Sequence, residues 1–472
     1  MRQQYQLFNL APLDRAADIS VVAWRRLPNN GSHRQGLARA HVNRQHSAMH
    51  AALPRRHRIA DTAYRASQAL LLVLPLALLY ARAGAEIAIV FIDALFLLHT
   101  IVSKDAGWLR RRFTLIAGGW WLWQIFASFA GTGGLGLALA AVRLPLFAVA
   151  LRHWLLTSPA SRRHMRYLLT AAAAWIGLEC WQQYLLGRNL FGQARWQDGA
   201  LTGPFNRPRA GPELILILFP VLVPLVAWLM ERPGLAAKLQ GAGLAALGAC
   251  TVLLIGQRMP SALLVLGLAL TCLLLPRLRL ALAGVAIVAA LLLAALPIIS
   301  PPTYDKLIVH TNDQLHHFAA SPYGEIWVRA AVIAGQHPWH GVGVNGFRRT
   351  CNNPASIQGL PMLGVTLQDA RAAVEACNIH PHNYYLEAAD DGGLPLLALF
   401  SGMLAVSLGI LAKGLRRNPD PLRAGLLVGA ALAFCPIAST SAFTSMPNAG
   451  WIFLLLGLGF AHSDARKEAV LF

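Results

Sequence analysis

An all-α polytopic membrane protein of about twelve spans, carrying one large polar insert, is the fold class this sequence predicts. Three observations predict it. The 472 residues are 56% hydrophobic and only 13% charged, against about 25% charged in soluble domains, and mean hydropathy is +0.48. Apolar stretches close to the length that crosses a bilayer recur along the chain. Lys and Arg gather in alternate connections, as the rule that holds them in cytoplasmic loops requires.

The first element is a basic arm, residues 1–65, with eleven Arg against three Asp. It lacks the short apolar core and small-residue cleavage site of a signal peptide, so it reads as a cytoplasmic segment lying on anionic lipid. Met49 is an alternative start. The formal charge of +20 then follows from topology; no basic stripe interleaved with aromatics argues for nucleic acid.

Spans are expected at 66–83, 85–101, 113–130, 133–156, 165–187, 212–230, 236–256, 259–275 and 279–298, which places nine within 66–298. A polar region, 299–390, follows as a periplasmic domain. Three more spans, at 391–412, 422–441 and 447–462, fill 391–462, and 463–472 is a cytoplasmic tail. Arg110-Arg111-Arg112, Arg162-Arg163, Arg277 with Arg279, and Arg416-Arg417 all fall in connections on the side of the N-terminus. The opposite turns at 131–133 and 442–446 hold no Lys or Arg. Both termini are therefore expected in the cytoplasm.

Three polar segments share the other side: the loop 188–211, the turn Gly256-Gln257-Arg258, and the insert. Arg188, Arg195, Arg207, Arg209 and Arg258 break the charge rule there, which suggests an anionic partner outside. Arginine suits phosphate because its fixed fork of donors pairs with two oxygens and keeps its charge. Arg258 is a candidate for such charge stabilisation, with Arg207 and Arg209 in a loop stiffened by Gly203, Pro204 and Pro208. Arg143 falls inside the fourth span, where a charge is costly and usually paired. Asp93 is the expected partner; the pair either fixes helix register or seats a lipid phosphate. Glu179, in the fifth span, is open to the same two readings.

Histidine accepts a proton near neutral pH with little tuning. The insert holds His337, His340, His380 and His382. His382 stands shortly before a span, close to the bilayer surface, with Asn383 beside it to orient the ring or a substrate hydroxyl. His337 opens His337-Pro338-Trp339-His340-Gly341-Val342-Gly343, a loop whose glycines suit close approach to a ligand; Trp339 joins the substrate-binding set. Which of His382, His380 and His337 is the base stays open. His380-x-His382 with Asp390 and Asp391 matches no zinc or calcium spacing, so neither metal nor cofactor is expected. Cys351 and Cys377 both lie in the insert and would pair in an oxidising compartment. Cys180, Cys250, Cys272 and Cys435 sit in apolar stretches and read as buried.

In order and spacing these residues resemble the O-antigen ligase and polymerase superfamily of bacterial inner membranes. The resemblance rests on Trp327, His337-Pro338, Gly341, Gly343, Phe347, His382-Asn383, Leu386, Asp390 and Gly392, with Gly203-x-Phe205, Pro208 and the Gln257-Arg258 turn upstream. It spans about 195–400. Gly324 stands where the family often has Arg, and Arg207 where Asn is more usual. The resemblance implies a glycosyltransferase of GT-C-like architecture with an undecaprenyl-diphosphate-linked glycan as donor. The ligase branch joins the glycan to a lipid A-core sugar; a polymerase or a protein O-oligosaccharyltransferase would use the same site with another acceptor. With His382 as base and arginines at the leaving group, the expected reaction is a single inverting displacement without metal. A secondary transporter is the distant alternative, and no internal repeat favours it.

Overall fold

The computed structural model describes residues 55–373, 377–438 and 442–471. The chain divides into a small unit, Met1–Thr62, and a large one, Ala63–Phe472. Most of the basic arm expected at 1–65 lies outside the described residues. Apart from the first turns of α1, everything below belongs to the large unit.

Helices occupy all twelve positions at which the sequence predicts a span. They are α1 (Arg55–Tyr80), α2 (Arg82–Ser103), α3 (Arg112–Ala130) and α4 (Leu135–Leu155), then α5 (Pro159–Leu186), α6 (Ala210–Glu231), α7 (Leu235–Ile255), α8 (Arg258–Leu274) and α9 (Arg279–Ile299). The insert contributes α10 (Pro322–Gln336); α11 (Tyr384–Ala412), α12 (Pro421–Ala433) and α13 (Asn448–Leu471) follow. No strand forms among the described residues; two isolated bridges, Arg188 with Ala194 and Leu360 with Val365, close small loops.

Eight of these helices are long and apolar enough to cross a membrane, against the twelve expected: α1 to α4, α6, α7, α9 and α11. The difference has physical causes. At 17 and 13 residues, α8 and α12 fall short of a full bilayer crossing, which takes about twenty. Glu179, Gln182 and Gln183 dilute the hydropathy of α5. The most apolar 18-residue stretch of α6 is 67% buried and that of α9 only 17%, so α6 is central and α9 shows most of its apolar surface outward. With its many apolar helices, this is a multi-pass membrane protein.

Two helices depart from the expected spans in ways that shape the site. The span predicted from 391 begins earlier, at Tyr384, and breaks at Gly392 (φ −144°, ψ 18°) and Gly393 (φ 67°, ψ −167°). Residues 384–391 thus form a short helix set at an angle to the rest of α11. The eleventh span, expected over 422–441, stops as α12 at Ala433, and 439–441 lie outside the described residues. Most of the insert is short helical turns around α10, whose buried face carries Ile326, Ala330 and Ile333 against Val342, Phe347 and Cys351.

Candidate functional site

The loop 188–211 is not loose. Gln183, buried near the end of α5, accepts from the backbone N–H groups of Thr202 (2.8 Å) and Gly203 (3.2 Å) and donates to the Ala194 carbonyl (2.9 Å). Asn189 donates to the Gly203 carbonyl at 2.6 Å. Gly203 adopts φ +57°, with Cys180 Sγ 3.0 Å from where a Cβ would lie. The turn between α7 and α8 is fastened to this loop by Gln257. Its Oε1 accepts from Gly211 N (3.0 Å) and its Nε2 donates to Pro208 O (2.6 Å). Gln257 therefore sets where Arg258 stands relative to Arg207, a role the sequence alone did not reveal.

The start of the insert meets the same two segments. Arg258 Nη1 donates to Gln314 Oε1 and lies 3.5 Å from the His310 carbonyl. Arg195 donates to Ser300 Oγ at 3.2 Å, and Lys306 pairs with Asp198. Gln314 Nε2 is 3.4 Å from Ser321 Oγ, which caps α10. In the first turn of α10, the Tyr323 ring lies edge-on to His382 with centroids 5.9 Å apart. A continuous run of contacts thus joins Arg258 to His382.

The other arginines are placed differently. Arg207 is exposed and its guanidinium has no bonded partner among the described residues. Arg209 pairs with the buried Glu213 and lies 4.8 Å over the Phe205 ring; Glu213 also accepts from Trp451 Nε1 at 2.6 Å. Arg143 does not pair with Asp93. Its Nε and Nη2 hold Glu86 at 2.6 and 2.8 Å, and it donates to the carbonyls of Ala140 (2.8 Å) and Thr444 (3.1 Å). Glu86 lies about 10 Å nearer the start of α2 than Asp93, level with the break in α4 from which Arg143 projects. Both Asp93 carboxyl oxygens lack a hydrogen-bond partner among the described residues.

His382 adopts φ +54°, a left-handed conformation uncommon for a side-chain-bearing residue. Asn378 Nδ2 lies 3.3 Å from His382 Nε2, and Asn378 Oδ1 accepts from Ile379 N at 2.7 Å. That second bond turns the amide Nδ2 toward the His382 ring. The His380 ring packs 4.4 Å away. Asn383 caps α11 through Tyr385 N (2.9 Å) and Leu386 N (3.1 Å), and its Nδ2 donates to Pro436 O at 2.6 Å. The amide read as a hydroxyl-orienting group is thus committed to holding the helix start. His337 ends α10, with His340 as ring neighbour at 6.2 Å, and Trp339 is 71% exposed.

The glycines after His337 do approach something closely, but it is their own chain. A Cβ on Gly341 would lie 2.4 Å from Asp390 O, one on Gly343 2.5 Å from Gly133 O, and one on Gly393 2.5 Å from Pro338 O. Val342 N donates to Asp390 O (2.7 Å), Gly343 N to Asp391 O (3.0 Å), and Leu394 N to Pro338 O (2.7 Å). The carbonyls freed by the break in α11 are thereby satisfied, as buried backbone groups must be. Thr132 N and Arg349 bind the other edge of this loop. Three carboxylates sit beneath it: Glu387 accepts from Phe443 N (3.0 Å), Asp391 from Gly346 N (3.4 Å), and the buried Asp390 has no partner for either oxygen among the described residues.

Cys351 and Cys377 are bonded, with Cα atoms 5.4 Å apart. Arg329 donates to the carbonyls of Cys351 (2.9 Å) and Ala370 (3.0 Å); burial pulls its pKa down from the usual value, with Glu325 pulling back. It serves the packing of the insert. A small cavity among α6 to α9, about 30 Å³ and walled by Phe219, Leu222, Leu264 and Leu282, is apolar and unsuited to a diphosphate.

Residues 243–401, from α7 through the Arg258 turn and the insert to the break in α11, match the family described as O-antigen ligase. No curated protein matches the chain.

Proposed function

We propose, with an O-antigen ligase domain at 243–401 as the premise, that this membrane glycosyltransferase moves a glycan from an undecaprenyl-diphosphate carrier to a lipid A-core sugar. The insert and the loops 188–211 and 256–258 face the periplasm in this reading, and both termini are cytoplasmic. Arg258 and Arg207 grip the diphosphate. An acceptor hydroxyl attacks the anomeric carbon from the opposite face, its proton passes to the His382 imidazole, and the bonding pair of the breaking C–O bond leaves on the diphosphate. One displacement inverts the anomeric configuration. Preorganised cations stabilise the charge that grows on the leaving group, and a base near neutral pKa removes the proton without tuning.

The observation that carries this reading is the junction of the three polar segments. Gln257 ties the Arg207 loop to the Arg258 turn, and Arg258 continues through Gln314 and Ser321 to the helix that packs on His382. His382 stands at that junction, and an imidazole is the side chain best suited to take a proton near neutral pH. Arg143 and Arg209, already in ion pairs, hold helices around the site; Trp339 stands exposed to meet sugar.

Deletion in a host that makes long glycan chains tests the assignment. A ligase predicts lipid A-core stripped of glycan, with carrier-linked polymer still present. Lipid A-core bearing single repeats would make it a polymerase instead, and unchanged lipid A-core with glycan missing from protein would make it a protein O-oligosaccharyltransferase.

A further inference from the structure

We propose, resting on the reading above, that the Cys351–Cys377 disulfide and Asn378 act as one positioning unit for His382, so that sugar transfer requires this cysteine pair to be oxidised.

The loop carrying His382 has an anchor on each side. Downstream, Asn383 caps α11 and bonds Pro436. Upstream, Cys377 is bonded to Cys351, which is 1% exposed. Cys351 is itself set firmly: it packs with Ile326, Ala330 and Phe347, and Arg329 holds its carbonyl at 2.9 Å. Between the two anchors Asn378 and Ile379 are exposed while Pro381 is buried, so the stretch next to the disulfide is the part that burial restrains least. His382 nonetheless keeps a left-handed backbone at φ +54°, which surrounding structure must impose. Asn378 directly follows the bonded cysteine, and its Nδ2 reaches His382 Nε2 at 3.3 Å. Disulfide, amide and imidazole therefore form one short series, in which the covalent bond sets the amide and the amide holds the ring.

A dithiol such as dithiothreitol would deliver two electrons and two protons, leaving Cys351 and Cys377 as thiols while itself becoming a disulfide. The Asn378–His382 segment would then lose its covalent anchor and keep only noncovalent ones. Misplacing a reacting group by about 1 Å costs on the order of 100-fold in rate.

The test uses the full-length protein in detergent, oxidised and dithiothreitol-treated, beside the Cys351→Ala/Cys377→Ala variant. Thiol labelling verifies reduction. Transfer kinetics and hydrogen exchange over 377–383 are measured on each. The expected result is a kcat lowered on the order of 10- to 100-fold with KM nearly unchanged. Activity returns on reoxidation, the double variant does not respond to dithiol, and exchange accelerates over 378–382 but not in α6. Asn378→Ala lowers kcat with the disulfide intact. Full kcat after verified reduction overturns the proposal, whatever the exchange shows. If the oxidised protein transfers no sugar, the transferase reading fails and exchange alone decides: acceleration confined to this loop upholds the positioning unit, and an unchanged rate removes it.

Discussion

Two histidine-bearing loops of the insert share similar residue types and have opposite fates. The loop 337–347 spends its glycines and backbone on the break in α11 and on the turn at 131–134. The loop 377–383 hangs between a disulfide and a helix cap and holds an imidazole against the Asn378 amide. The first fits a clasp and the second a chemical group on a tether. A motif can thus be required for packing in one half and for reactivity in the other. The glycines mark the packing half, because only they admit carbonyl oxygens where a Cβ would stand.

The contrast is broken most directly at the two rings. His382→Ala is expected to lower transfer on the order of 10²- to 10⁴-fold, the range of a lost general base; His337→Ala should cost less than about tenfold on the same scale. Comparable losses in both would erase the distinction. A parallel pair sharpens it for arginine. Arg258→Ala should lower kcat about 10²- to 10³-fold as a lost leaving-group contact does, with normal expression. Arg143→Ala should chiefly cost stability, about 1 kcal/mol for a partly exposed ion pair, read as a lower unfolding temperature in detergent.

Gly341→Ala probes the clasp itself. The added Cβ collides with Asp390 O at 2.4 Å and the residue sits at φ +65°, so a loss of about 1–3 kcal/mol is expected and should appear as reduced folded yield. The smallest effect belongs to Asp369 at the insert surface. Hydrogen bonds from Thr366 hold its carboxyl below the ordinary range. A depressed folded-state pKa gives a contribution present near neutral pH and lost as pH falls through that value. Asp369→Asn should remove this slight acid sensitivity from the unfolding curve of the insert and leave transfer unchanged.

Much of the fold was legible because membrane helices announce themselves locally: a run of apolar residues is visible without knowing its neighbours. Broken and marginal helices were harder. The bend at Gly392-Gly393 is stabilised by the Pro338 carbonyl and the N–H groups of Val342 and Gly343, and nothing in the sequence of α11 names them. Arg258, Arg207 and His382 could be singled out by residue type and by their breach of the charge rule. Gln257 could be named as part of a turn but not as its fastener, since a neutral amide signals no partner until Pro208 and Gly211 are seen beside it. Arg143 was legible as a paired charge but not in its partner. The choice between Glu86 and Asp93 depends on how far α4 is broken before it meets α2. The Cys351–Cys377 pair was open to sequence reasoning because two cysteines in one polar insert have few alternatives. Its bearing on His382 was not, because that runs through Asn378.

The central claim is that Arg258 and His382 serve one displacement at one place. Purified protein given a synthetic undecaprenyl-diphosphate sugar and lipid A-core, with EDTA present, tests it most directly when the anomeric configuration of the product is determined. The account predicts transfer with inversion in the wild type and its collapse in both Arg258→Ala and His382→Ala. Retained configuration, loss of transfer on chelation, or near-normal turnover in either variant would contradict it.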